Sequence, residues 1–249
     1  CQGNFNSDNC AAGGYTLDYG PFGFCELFEP RFQPWTGGGE HFCFFNQPAA
    51  AEANYGMFCT AMRPLLEGNA TALEQLDALR DGFADAMAQQ LEAMWASKLG
   101  LSHYDAELVQ QLLQLLVNAR ADYTLFFRRL SAIPDTVEAL KPSFYVPCSS
   151  DLETQLQAWL ERWRQQLGDA AAASAAMRRV NPAITWREWL VAPAYEQAAA
   201  GDTRLIQELQ AVFRDPYAEP PAELAATYNR LRPREFFNAG GVSHYSCSS

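Results

Sequence analysis

Apolar residues recur every three or four positions along most of the chain downstream of Gln47-Pro48. That spacing places them on one side of a helix, so it predicts a succession of amphipathic α-helices. Gly100 is expected to end the first helix, and Asn181-Pro182 to interrupt the helical region. The apolar stripes run from Leu73 to Met94, Leu108 to Ala119, Leu152 to Leu167, Trp186 to Ala199 and Leu205 to Phe213.

The two ends of the chain have a different character. Up to Gln47-Pro48, glycines and aromatic residues are dense and helical periodicity is weak, which is typical of loops and short strands. Near the other end, Pro216, Pro220 and Pro221 predict the end of regular structure, and the last 15 residues are expected to form a tail. The pattern predicts a mostly α-helical protein with an irregular, partly β amino-terminal region.

Composition narrows the class of protein. The 249 residues include 18 Lys+Arg and 29 Asp+Glu, so the formal charge is 18 − 29 = −11, which argues against binding to nucleic acid or to an anionic membrane. No uncharged apolar run reaches the roughly 18 residues that a membrane span needs. The seven cysteines include no Cys-x-x-Cys pair, which excludes zinc-finger and thioredoxin-like arrangements. A chain of this length does not need disulfides to fold, which favours a reducing compartment.

Oxygen-bearing side chains cluster near the amino terminus. Asp8 and Asn9 precede a Gly13-Gly14 pair, and Asp18 follows it. A Gly-Gly turn between short β-prone runs predicts a hairpin, which would return Asp18 to the neighbourhood of Asp8 and Asn9. These oxygen ligands suit Mg²⁺ or Mn²⁺, and a base and a metal ligand on either side of a hairpin is the layout of protein-kinase active sites. The alternative is that the residues only form turns.

The same residues carry a resemblance to the selenoprotein O family, a family of kinase-fold protein adenylyltransferases. Residues 3–9 read G-N-F-N-S-D-N and residues 16–24 read T-L-D-Y-G-P-F-G-F, similar to the family's catalytic stretch. The resemblance includes Gln47-Pro48, Asn54, residues 122–124 and Asn181-Pro182, and the chain ends Cys-Ser-Ser as members of the family do. Gln2 departs from the family, which usually has His at that position.

The resemblance implies a function for each part of the chain. Residues 1–48 would hold the catalytic loop, the metal-binding hairpin and an activation-like segment, residues 49–232 the helical part of a kinase-like carboxy-terminal lobe, and residues 233–249 a tail. Asp8 would be the catalytic residue that accepts or orients the attacking hydroxyl. Asn9 and Asp18 would bind the Mg²⁺ or Mn²⁺ ion and, through it, the nucleotide.

The implied reaction is the transfer of AMP from ATP to Ser, Thr or Tyr hydroxyls of protein substrates. The phosphate-binding lysine of the family is expected upstream of residue 1, because neither Lys98 nor Lys141 lies in a strand context. We therefore expect the chain to be the carboxy-terminal part of a longer protein and to be inactive alone. The family implies a mitochondrial location if the protein is eukaryotic and a cytoplasmic one if it is bacterial.

Two alternatives stay open from the sequence. One keeps the fold but transfers the γ-phosphoryl group, as a protein kinase does. The other is a catalytically inactive scaffold that senses redox state through Cys247, with redox proteins among its partners. Even in the active enzyme, a tail thiol at Cys247 suggests a redox link, with Cys25 or Cys43 as possible disulfide partners.

The sequence also predicts whether two further groups of residues are buried or exposed. The tryptophans at helical spacing are expected to pack in the core. The arginine pairs are expected on solvated helix faces. These residues are Trp159, Trp163, Trp186, Trp189, Arg128-Arg129 and Arg178-Arg179.

Overall fold

The computed structural model describes residues 1–11, 13–15, 22–34 and 39–237. Helices dominate these residues, which confirms the mostly helical prediction, and antiparallel pairing is limited to isolated bridges. The predicted β-hairpin includes residues 16–21, which lie outside the described residues, and both it and the kinase-like lobe stay predictions. The α-helices are α1 (Gln47–Met62), α2 (Ala70–Asp81), α3 (Phe83–Leu99), α4 (Ala106–Asn118), α5 (Tyr123–Leu130), α6 (Ser150–Gln166), α7 (Ala170–Val180), α8 (Glu188–Ala199), α9 (Arg204–Val212) and α10 (Ala222–Tyr228).

Most predicted helices are present, and α1 begins at the change in composition at Gln47. The prediction of a single helix from Leu73 to Met94 is wrong, because α2 ends at Asp81 and Gly82 separates it from α3. Gly100, with φ +67°, follows the end of α3 as predicted. The prolines near the end of the chain do not finish regular structure, since Pro221 caps the start of α10, a position that does not require its missing N–H.

The chain forms two compact units. The described residues of the first fall within Cys1–Gly23 and Pro30–Leu91, and they include α1, α2 and the start of α3. In this unit α1 packs against α2 and against the 3₁₀ turn Arg63–Leu66. Arg63 donates to Asp77 at 2.5 Å, which ties that turn to α2.

The second unit consists of Phe24–Glu29 and the described residues from Glu92 onward. Its core lies between α4 and α6, where the Trp159 and Trp163 rings stack 5.9 Å apart. The Trp159 indole donates to the Leu108 carbonyl at 2.9 Å, and the Trp163 indole donates to the Leu99 carbonyl at 2.8 Å. A second buried cluster joins α8 and α9 and includes Trp189. Trp159, Trp163 and Trp189 are buried as predicted, whereas Trp186 is only partly so.

The prediction that Arg128 lies on a solvated face is wrong. Only 8% of Arg128 is exposed, and its guanidinium donates to the carbonyls of Arg178 and Asn181 at 3.3 and 3.1 Å. Glu219 supplies the counter-charge at 2.6 Å and also pairs with Arg178. Arg128 therefore holds the end of α7 instead of facing water, a role that depends on residues far away in the sequence.

A buried ion-pair network fastens α5 in the second unit. Arg187 is 2% exposed and donates to both carboxylate oxygens of Asp122, at 2.6 and 3.0 Å, and to Glu26 at 3.1 Å. Asp122 also caps α5 by accepting from the Leu125 backbone N–H at 3.0 Å. Burial raises the pKa of Glu26, although the positive charge of Arg187 opposes that effect. The network joins three segments that are far apart in the sequence.

Candidate active site

Asp8 lies at the centre of a single 3₁₀ turn, Ser7–Asn9, in the first unit. The Asn6 side-chain oxygen caps the turn by accepting from the Asn9 backbone N–H at 3.2 Å, and the Cys10 N–H closes it on the Ser7 carbonyl at 3.4 Å. Asp8 is exposed to solvent. A short capped turn thus presents a carboxylate outward on a defined backbone, as a residue that meets a substrate hydroxyl must be presented.

The side chain of Asn9 is oriented by its own loop. Its Nδ2 donates to the Asn4 carbonyl at 2.9 Å, which fixes the amide plane. Among the described residues, no donor reaches its Oδ1. The Asn9 Oδ1 atom is therefore oriented and available to bind a ligand, one residue after Asp8. An amide oxygen of this kind is a normal ligand for Mg²⁺ or Mn²⁺.

Three side-chain amides from outside the loop hold the backbone that precedes Asp8, and we call Gln33, Gln47 and Asn54 the amide clamp. Asn54, a buried residue of α1, donates to the Phe5 carbonyl at 2.9 Å. Gln33 donates to the Gly3 carbonyl at 3.2 Å. These bonds satisfy carbonyls that regular secondary structure would otherwise pair, and they connect the loop to α1 and to the segment before it.

Gln47, the first residue of α1, makes the most contacts of the amide clamp. Its Oε1 accepts from the Gln2 backbone N–H at 3.2 Å, and its Nε2 donates to the Gln2 and Phe42 carbonyls at 2.9 and 2.6 Å. The contacts to Gln2 involve only backbone atoms. The replacement of the family's usual His by Gln2 therefore leaves this anchor intact.

The described ends of the predicted hairpin lie beside the start of the loop. Gln2 and Phe22 form an antiparallel bridge, and the Cys1 amino group and Gly23 carbonyl are 2.9 Å apart. Gly14 adopts φ +76°, a left-handed conformation that suits a turn. Asp18 lies outside the described residues, so its approach to Asp8 and Asn9 stays a prediction.

Only one oxygen ligand of the predicted divalent-cation site, that of Asn9, lies among the described residues. Within residues 1–11, 13–15, 22–34 and 39–237, no group of three or more His, Cys, Asp or Glu side chains is placed to hold a metal ion. Asn9 supplies one oriented oxygen, and Asp18 would have to supply the charged one. The predicted Mg²⁺ or Mn²⁺ site rests on that pair.

Both lysines are engaged in structural contacts of the second unit. Lys98 donates to the Asn181 side chain at 2.9 Å, and its Nζ lies 4.3 Å from the centre of the Phe127 ring. Lys141 pairs with Glu138 and Glu153, each at 2.9 Å. These contacts agree with the expectation that neither lysine is the phosphate-binding one.

The cysteines suggested as disulfide partners of the tail are both buried. Cys25 and Cys43, the suggested disulfide partners of Cys247, are buried free thiols. Burial raises the pKa of the Cys25 thiol to about 12, which makes it a poor thiolate and a poor redox partner. Cys247 lies outside the described residues, so its redox role stays a prediction.

Comparison with known proteins shows that the chain is similar to bacterial protein nucleotidyltransferases. It is 34% identical to the protein nucleotidyltransferase YdiU of Tolumonas auensis and 32% identical to that of Aromatoleum aromaticum, in each case over 100% of this chain and 49% of the relative. A YdiU protein of Rhodopirellula baltica is 31% identical over 100% of this chain and 50% of its own length. The chain thus spans about half the length of these bacterial relatives.

The family described as protein adenylyltransferase SelO matches residues 1–214. The chain belongs to this family, which confirms the resemblance predicted from its catalytic stretch. The match covers the 3₁₀ turn, the amide clamp and nine of the ten helices described. The family is one of enzymes. None of the helices described is long and apolar enough to cross a membrane.

The amide clamp leads to a prediction about rate. Replacing Asn54 by alanine in the full-length protein removes the bond to the Phe5 carbonyl and lets the Asp8 loop move. We expect the turnover rate to fall by about 10-fold or more, since displacements of about 1 Å cost up to 10²-fold, while KM for ATP changes little. Steady-state kinetics measures both constants.

Asn69→Ala is the matched control for Asn54→Ala. Asn69 caps α2 in the same unit by accepting from the Ala72 N–H at 3.1 Å, and none of its hydrogen bonds to the described residues involves the Asp8 loop. We expect Asn69→Ala to lower stability by about 1 kcal/mol and to leave the turnover rate within two-fold. Equal rates for Asn54→Ala and wild type would contradict the positioning role of the clamp.

The burial of Lys98 leads to a prediction about pH. Burial lowers the pKa of Lys98 to about 8, below the ordinary 10.5 of the unfolded chain. Between these values the unfolded state binds more protons, so this residue makes the free energy of unfolding rise with pH. We expect the free energy of unfolding of wild type minus that of Lys98→Met to increase from pH 8 to pH 9.5. Urea unfolding at both pH values measures it, and a constant difference would contradict the burial.

Proposed function

We propose that the full-length protein transfers AMP from ATP to Ser, Thr or Tyr hydroxyls of protein substrates. The observation that carries the proposal is the exposed Asp8 carboxylate beside an Asn9 side chain whose amide is fixed by the Asn4 carbonyl, in a member of the SelO family. Protein substrates present hydroxyls at their surface, and an exposed carboxylate is accessible to them. The names of the relatives, which describe nucleotide transfer to protein, support the same reading.

The step balances as a substitution at the α-phosphorus of ATP. The substrate hydroxyl oxygen forms a bond to that phosphorus, and the bond from the phosphorus to the oxygen bridging the α- and β-phosphates breaks. AMP stays on the protein as a phosphodiester, and pyrophosphate leaves. Asp8 accepts a hydrogen bond from the hydroxyl, aims its oxygen at the phosphorus and takes up its proton.

The polar residues have distinct parts in this proposal. Asn9 and Asp18 would hold the divalent cation, which would neutralise phosphate charge and supply the electrostatic stabilisation that such reactions depend on. The amide clamp holds the backbone that precedes the Ser7–Asn9 turn, which carries both Asp8 and Asn9.

The products of the reaction test the proposal. With full-length protein, ATP, Mg²⁺ and a protein acceptor, we expect pyrophosphate to accumulate in step with AMP bound to protein, as measured by an enzyme-coupled pyrophosphate assay and mass spectrometry. Accumulation of ADP with phosphorylated protein would instead favour the kinase alternative. If neither product forms and nucleotide fails to bind, the inactive scaffold would be favoured.

The redox and location hypotheses complete the proposal. Cys247, in the tail, would form reversible disulfides with a redox partner and link activity to redox state. The relatives named above are bacterial, and for a bacterial protein the family implies the cytoplasm. Comparing activity before and after thiol oxidation, in wild type and Cys247→Ser, tests the link; equal responses would contradict it.

A further inference from the structure

The first unit has almost no hydrophobic core of its own. Among its described residues, only three hydrophobic residues are buried, and all three are small: Cys43, Ala50 and Cys59. Helix α2 buries none of its residues, and neither does the 3₁₀ turn Arg63–Leu66. A unit built of helices normally packs one side of each helix into a core. In this unit the inner apolar residues of α2, Leu73 and Leu76, are only half-buried.

The uncovered apolar side chains line up along α1 and the turn that continues it. Ala53, Met57, Ala61 and Leu65 follow one another at four-residue spacing, and all four are exposed. We call these residues the α1 stripe. Met57 is 59% exposed and Leu65 75%. Residues four apart on an α-helix are neighbours on one face, so Ala53, Met57 and Ala61 form a continuous apolar strip, which Leu65 follows in the 3₁₀ turn.

Helix α1 is also more apolar than a surface helix. Its exposed polar side chains are few, Glu52 and Thr60 among them, whereas Phe58 is exposed beside the α1 stripe and the helix has no basic side chain between Gln47 and Met62. A mostly apolar helix is normally buried over most of its surface. Only Ala50, Asn54 and Cys59 are buried in α1. The exposed apolar surface favours a permanent covering, of the kind that obligate interfaces provide, over a transient partner.

We propose that the α1 stripe is covered by the part of the full-length protein that lies outside this chain. The relatives are about twice as long as the chain, which spans 49% of each of the two compared above. A covering supplied by the same polypeptide is always present, as a unit without a core requires. The contact would join this unit, which carries Asp8 and Asn9, to the rest of the protein.

Site-specific photo-crosslinking in the full-length protein tests the proposal. A photo-reactive benzoylphenylalanine replaces Met57 in one variant and Leu65 in another, and mass spectrometry identifies the peptides captured on irradiation. We expect crosslinks within one polypeptide, to peptides outside residues 1–249. The control carries the same group at Val117, which is 37% exposed on α4 in the second unit, and is expected not to capture the same peptides.

Other outcomes would overturn the proposal. Crosslinked dimers on a denaturing gel would show that a second copy covers the stripe, and capture of peptides from residues 1–249 would show that the chain covers it itself. Absence of any crosslink would leave the stripe solvated. If the group disturbs folding, Met57→Asp gives a second measurement: we expect it to lower the melting temperature of the full-length protein well below that of Val117→Asp. Equal melting temperatures would contradict the covering.

Discussion

In the full-length protein, Asp8→Ala is expected to lower the rate of AMP transfer by about 10²- to 10⁴-fold, the usual contribution of a positioned general base. The carboxylate stands at the centre of the Ser7–Asn9 turn and faces solvent, where it would meet the substrate hydroxyl. Because the proposal gives Asp8 no contact with nucleotide, KM for ATP should stay within a few-fold. Single-turnover kinetics with labelled ATP measures both quantities.

The control for Asp8→Ala is Glu52→Ala, which removes an exposed carboxylate from α1 in the same unit. We expect it to leave the rate within two-fold of wild type, because Glu52 lies outside the Ser7–Asn9 turn and the amide clamp. An Asp8→Ala variant that keeps a third or more of the wild-type rate would contradict the role of Asp8. A fall in rate with a matching fall in ATP binding would indicate that Asp8 contacts the nucleotide and not the substrate hydroxyl.

Arg187→Leu is expected to lower the free energy of unfolding by about 3–5 kcal/mol, because it leaves buried carboxylates without a cation. Asp122 is fully buried and receives both donors of the Arg187 fork, and Glu26 accepts a third bond. The exposed pair Asp202–Arg204 provides the control, since Arg204 is 88% exposed. Arg204→Leu should cost less than about 1 kcal/mol. Urea unfolding of the full-length protein measures both.

A pH series separates an electrostatic loss from a packing loss in Arg187→Leu. Without the guanidinium, burial keeps the pKa of Glu26 above its ordinary 4.5, so the folded variant holds its proton more tightly than the unfolded chain does. Stability of the variant should therefore fall as pH rises from 5 to 8, and the deficit relative to wild type should grow. A deficit that does not change with pH would show that packing dominates.

Local patterns predicted the helices whose apolar and polar faces are distinct. Helices α4 and α6 follow their stripes because each buries one side against the other. Helix α5 was not predicted, since its eight residues make only about two turns, too few for an apolar period to repeat. The sequence feature that could have predicted the start of α5 is Asp122, whose side chain caps the helix. The break at Gly82 was missed because the apolar period continues on both sides of it.

The positions of charged residues were predicted less well than the helices, since a sequence does not show which distant charged groups come together. Arg128 was expected in solvent, but its partner Glu219 is 91 residues away. The proposed catalytic residue Asp8 and the proposed metal ligand Asn9 were predicted from a short motif, because they are adjacent in the sequence. The amide clamp was not, because Asn54 bonds to a carbonyl 49 residues earlier and Gln47 to one 45 residues earlier. Gln47 and Asn54 belonged to the family resemblance, which gave them no role.

The central claim is that this family member transfers AMP with a metal held at Asn9 and Asp18. The most direct measurement incubates the full-length protein with Mg²⁺ and ATP labelled with ³²P at the α- or the γ-phosphate, beside an Asp18→Ala variant, and follows label on protein. We predict label from α-labelled ATP alone, lost in Asp18→Ala. Label from γ-labelled ATP alone, or α-label that persists in Asp18→Ala, would contradict the account.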